Sequence, residues 1–94
     1  RKARYIDHVR AAGPDARRVS CADKLHNARS ILRDYRAEGE RLWARFNAPP
    51  EEQLWYYGQL VEAFRQPDRT ALHAELERVV AELEAERKRR LAEP

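Results

Sequence analysis

Residues 14–37 read PDARRVSCADKLHNARSILRDYRA, and this stretch decides the fold. It holds no Gly and no internal Pro, and its apolar residues recur every three or four positions. That is the signature of one long helix. Pro14 and Asp15 suit a first turn, where a missing N–H costs nothing and a negative charge meets the helix dipole. Gly39 stops it. At 1.5 Å per residue, such a helix spans roughly 35 Å.

The rest of the chain arranges itself around that element. Upstream, Arg1 to Ala12 forms a shorter helix, ended by Gly13-Pro14, with Gly13 expected as a left-handed cap. Downstream, Glu40 to Phe46 carries Leu42, Trp43 and Phe46 at helical spacing. Asn47-Ala48-Pro49-Pro50 is a break and restart. Residues Pro50 to Arg65 place Leu54, Tyr57, Val61 and Phe64 on one face. Gln66-Pro67-Asp68 breaks the chain again, with Asp68 expected as an N-cap. The segment 68–94 is a terminal amphipathic helix with Leu72, Leu76, Val79, Val80 and Leu83 as its stripe. No stretch alternates as a strand would. The expected fold is all-α: one domain over residues 1–94, a bundle of about five helices.

Composition narrows the function classes. The chain has 94 residues, 19 Lys and Arg against 16 Asp and Glu, a net charge of +3 and a mean hydropathy of −0.91. No run approaches the roughly 20 apolar residues of a membrane span, so no membrane partner is expected. A small positive excess interleaved with acids argues against nucleic acid as a partner. Cys21 is the only cysteine, which excludes a disulfide scaffold. A lone thiol without an export signal fits a reducing cytoplasm. The chain starts with Arg, so it reads as a piece of a longer protein.

Chemistry concentrates in Val19 to Tyr35, VSCADKLHNARSILRDY. At 100° per residue, Cys21, Ala22, Leu25, Ala28 and Leu32 gather on one side, small enough for close helix packing. Asp23, Asn27 and Ser30 gather on another. Short polar residues are poor helix formers, and a stripe of them beside a packed face suits a helix that lines a site. Asp23 can ligate a divalent cation, although one carboxylate holds a metal poorly. Asn27 offers an amide and Ser30 a hydroxyl. Lys24 and Arg29 flank the stripe and can neutralise phosphate charge. The plain alternative is a solvated polar face with Asp23 in a local charge pair.

The run ADKLHNAR at Ala22 to Arg29, preceded by Arg18-Val19-Ser20-Cys21, resembles the downstream motif of the HD-domain metal-dependent phosphohydrolases. Within them it is most similar to the branch that hydrolyses guanosine tetra- and pentaphosphate. The segment around Arg1, Lys2 and Tyr5, and the aromatic stretch from Trp43 to Tyr57, resemble the flanking helices of that fold. The resemblance implies that Asp23 is the last of the family's metal-ligating aspartates. It implies that Asn27 contacts the nucleoside and that Ser30 lies near the base. Lys24 and Arg29 would give charge and packing support on the substrate side, and His26 a structural hydrogen bond. The family's cofactor is a divalent metal, usually Mn2+, held by two His and two Asp, and its product is pyrophosphate from the ribose 3′ position.

One departure is decisive. No His-Asp dipeptide occurs, and Asp7-His8 is the reverse order. The chain therefore resembles the C-terminal portion of an HD domain, with no catalytic residue of its own and one metal ligand of four. It would be inactive alone, and the missing N-terminal helices of the same domain would be its partner. Exposed apolar surface around Val19, Ala22 and His26, or a homo-oligomer covering it, is expected in consequence.

Two rivals stand beside that reading: a non-catalytic helical module for a partner helix or nucleic acid, and an HD-type hydrolase of another nucleotide. Other features read as structure. The Trp and Tyr residues suit core packing. Arg87 to Arg90 suit a solvated, fraying helix end. His8 and His73 read as surface or boundary residues, and Cys21 as a small buried apolar group.

Overall fold

A computed structural model of the chain describes residues 1–65 and 70–94. Four α-helices follow one another: α1 (Lys2–Ala11), α2 (Pro14–Glu38), α3 (Pro50–Phe64) and α4 (Ala71–Ala92). A 3₁₀ helix, Gly39–Arg45, joins α2 to α3 where a fifth helix was expected. No strand occurs among the described residues. The all-α class is therefore as read from the sequence. The expected Asp68 cap lies outside the described residues. The cap that is seen is Thr70, whose hydroxyl accepts the His73 N–H at 3.1 Å.

Local chemistry explains most boundaries. Pro14 opens α2 and Asp15 sits in its first turn. Gly13 precedes it with φ −73° and ψ 170°, an extended conformation and not the expected left-handed one. Pro14 is the reason, because its ring excludes the helical region for the residue before it. Gly39 does turn left-handed, at φ 65°, and its N–H closes α2 on the Tyr35 carbonyl. Pro50 opens α3, with Glu51 and Glu52 at the positive end of its dipole.

The core is one cluster. Ile6 and Val9 come from α1, and Cys21, Leu25, Ala28, Leu32 and Tyr35 from α2. Leu60, Val61 and Phe64 of α3 and Leu76, Val79, Val80 and Leu83 of α4 belong to it as well. Arg29 pairs with Glu75 and Arg36 with Glu82, so numbers advance together and α2 and α4 run in the same direction. Trp43 packs on Tyr35 and Phe46, with ring centres 5.8 and 6.0 Å apart, and carries the 3₁₀ segment into the core.

Four polar residues depart from expectation. His73 is fully buried, not at the surface, and its Nε2 lies 2.8 Å from the Val61 carbonyl. It falls on the Leu76–Val80–Leu83 stripe, where burial follows from register. Arg87 and Arg90 do not fray. Arg87 pairs with Glu40 at 2.9 Å and Glu51 at 3.3 Å, and Arg90 donates to the carbonyls of Tyr35 at 3.1 Å and Arg36 at 3.0 Å. The end of α4 thus brings further donors to the carbonyls at the end of α2. Arg17, on no list of site or core residues from the sequence, is buried. It donates to the carbonyls of Val9, at 2.6 Å, and Ala63, at 2.5 Å.

Candidate functional site

The polar stripe of helix α2 lines a cleft. Asn27, Ser30, Ile31 and Asp34 form one wall; Leu42, Arg45 and Phe46 from the 3₁₀ region and Tyr57 from α3 form the other. The volume is about 260 Å³. Ile31, Leu42 and Tyr57 are buried and make an apolar floor, and Phe46 is half-buried beside them. Asn27 and Ser30 are half-buried, and neither side chain has a hydrogen-bond partner among the described residues. Their donors and acceptors are free for a guest. Asp34 is held by Arg45 at 3.3 Å and by Arg33 at 3.2 Å, and Arg45 also reaches Glu38. The rim therefore carries a cation already balanced by carboxylates.

Asp23 lies a turn before Asn27 on the same stripe but does not line the cleft. Its side chain is 61% exposed, with the Lys24 ammonium 3.6 Å away. Burial pushes the Tyr57 hydroxyl up to about 12, and the charges of Tyr56 and Asp23 add to the effect. Among the described residues no group of three His, Cys, Asp or Glu is placed to hold a metal ion. One exposed carboxylate does not hold one by itself, so these residues do not fit a complete metal centre.

The supporting residues divide. Lys24 lies over the Tyr5 ring, 4.7 Å from its centre. Arg29 lines a different groove, between α2 and α4, and pairs with Glu75 at 2.9 Å. His26 is exposed and makes no hydrogen bond to a described residue, against the structural bond implied for it. Val19 is 70% exposed, and Ala22 and His26 are exposed on the same stripe. Ala22 thus leaves the packed set, whereas Cys21, Leu25, Ala28 and Leu32 are buried. Burial raises the Cys21 thiol pKa, and the nearby Arg17 charge only partly opposes that.

Asp34 and Arg45 were missed as site residues. Asp34 had a signal, since Asp23, Asn27, Ser30 and Asp34 form one continuous stripe. Arg45 had none, because a 3₁₀ segment follows no α-helical wheel. Comparison of the chain with protein-family models, with curated proteins and with solved structures gives no match.

Proposed function

We propose that this chain forms the nucleotide-facing part of an HD-type phosphohydrolase. Its substrate class is a phosphorylated guanosine nucleotide such as guanosine 3′,5′-bis(diphosphate). The observation that carries the reading is the pair of unpartnered groups, Asn27 and Ser30, at the mouth of an apolar, aromatic-floored cleft. Such a cleft with few polar groups at its edge suits a planar base. The base would sit over the apolar floor, and ribose and phosphates would extend outward along the stripe toward Asp23. Asp23 would be this chain's single contribution to a divalent metal site, for which Mn2+ is the family's usual ion. The remaining ligands would come from other helices of the same domain.

The test uses the gene product as it is encoded. Manganese-dependent pyrophosphate release from guanosine 3′,5′-bis(diphosphate) is expected. Asp23→Ala should abolish it without lowering the melting temperature, and Asn27→Ala should raise KM more than it lowers kcat. Unchanged turnover in Asp23→Ala removes the metal assignment.

A second reading, a non-catalytic helical interaction module, is favoured by the open Val19–Ala22–His26 stripe. Absence of turnover, together with a partner or second copy protecting that stripe from solvent exchange, would select it.

A further inference from the structure

A second concavity of about 390 Å³ lies between α2 and α4, away from the Asn27 cleft. Arg29, Arg33, Arg36 and Arg78 line it above an apolar base of Leu32 and Val79. The α2 arginines sit at i, i+4 and i+7, stepping roughly 6 and 4.5 Å along the helix. Arg78 faces them from α4.

Two carboxylates serve three of these four cations. Glu75 takes Arg29 at 2.9 Å and Arg78 at 2.6 Å; Glu82 takes Arg36 at 2.9 Å and Arg78 at 2.5 Å. Arg29 and Arg36 each spend one N–H on these pairs, through Nη2. Their other donors stay open. Arg33 touches neither glutamate; its partner is Asp34, already shared with Arg45. Arg78 spends all three of its nitrogens on the two glutamates, so the open donors are those of α2: the carboxylates orient Arg29 and Arg36 without saturating them, leaving a row of forked donors along that helix in cationic excess. Forked donors at short intervals match the oxygens of successive phosphates.

We infer that this groove binds a short linear phosphate chain, either inorganic triphosphate or the tail of a nucleoside triphosphate. Among the described residues no aromatic ring lines the groove, so they give no stacking platform of the kind a single-stranded nucleic acid needs. Glu75 and Glu82 at its rim also oppose a long polyanion. The site is independent of the Asn27 cleft and of the function proposed for it.

Calorimetric titration with sodium triphosphate at low ionic strength tests the idea. One molecule should bind per chain, with affinity falling as salt rises. Arg33→Gln should weaken binding about tenfold, one charge-assisted contact, while leaving the ligand-free melting temperature unchanged, because Arg33 braces neither glutamate. Arg36→Gln should weaken binding as well. Adenosine triphosphate separates the sources: equal affinity assigns a free oligophosphate, and tighter binding assigns a nucleotide tail. Three results would overturn the inference: no binding at millimolar triphosphate, undiminished binding by Arg33→Gln, or displacement of triphosphate by lower concentrations of an RNA oligomer. Loss of binding in Asn27→Ala would do the same, by placing the phosphates in the other cleft.

Discussion

Replacing Arg17 by Met removes a clamp on which three helices converge. The Arg17 guanidinium starts from α2 and ends on the carbonyls of Val9, in the last turn of α1, and Ala63, in the last turn of α3. Both helices point the negative ends of their dipoles at it. The residue is only 7% exposed, and no described carboxylate pairs with it. Each hydrogen bond from a charged donor is worth about 1.5–3 kcal/mol. Dehydrating the guanidinium offsets part of that. Met keeps the aliphatic length, so packing changes little. A net loss of about 2–4 kcal/mol follows, because two buried carbonyls lose a partner and water cannot easily replace it.

Urea unfolding followed by circular dichroism measures this loss. The midpoint should fall with an unchanged slope, since the surface exposed on unfolding is the same. For a chain of this size the melting temperature should drop by about 10–20 °C. Arg17→Lys should fall between, because it keeps the charge but puts one nitrogen where two spaced guanidinium nitrogens now reach separate helices. A loss below about 0.5 kcal/mol in Arg17→Met, the range of an ordinary surface substitution, would refute the clamp.

Three further outcomes can be measured. Arg90→Met should cost about 1 kcal/mol and speed hydrogen exchange in the last turn of α2, whose Tyr35 and Arg36 carbonyls it caps. Glu40 accepts from Arg87, Tyr35 and Trp43, and the Arg87 bond foremost holds its carboxyl below the ordinary range. Its contribution to stability is therefore present above the ordinary carboxylate pKa and is lost as pH falls through the lowered one. Acid unfolding followed by tryptophan fluorescence should shift in Glu40→Gln. Cys21, buried with a raised pKa, should react with a thiol reagent far more slowly in the native chain than in urea.

What the sequence disclosed and what it withheld differ by kind of interaction. Helix existence rests on period and on Gly and Pro, which act over a few residues; α2 and α3 accordingly end within a residue of their expected limits. Gly13 failed because two local rules competed there and the proline won. His73 and Arg17 failed differently. Arg17 lies on the Cys21–Leu25–Ala28–Leu32 stripe and His73 on that of Leu76, so periodicity marked both as inward. Residue type argued the reverse, since charged or polar groups are rarely buried without partners. Their partners are backbone carbonyls on other helices, which no pattern along the chain reveals. Asn27 and Ser30 were legible as a stripe, but their cleft was not, because its far wall comes from the 3₁₀ segment and Tyr57.

The stripe Val19, Ala22, His26, Arg29, Arg33, Arg36 runs the length of α2 at strict helical spacing, yet changes character midway. Its first half is apolar or imidazole and open; its second half is all arginine. Helix α4 runs beside α2 in the same direction from Ala71, and the first of its ion pairs to α2 joins Glu75 to Arg29. The arginines begin where α4 brings glutamates alongside. Val19, Ala22 and His26 precede that point, and nothing described covers them. An apolar stripe built for water would carry long charged side chains, as the second half does. The first half carries none, and a neighbouring helix from the same domain or a second copy of the chain would account for that difference. Under either, Val19→Lys should leave the isolated chain folded and disrupt only the assembly that covers the stripe.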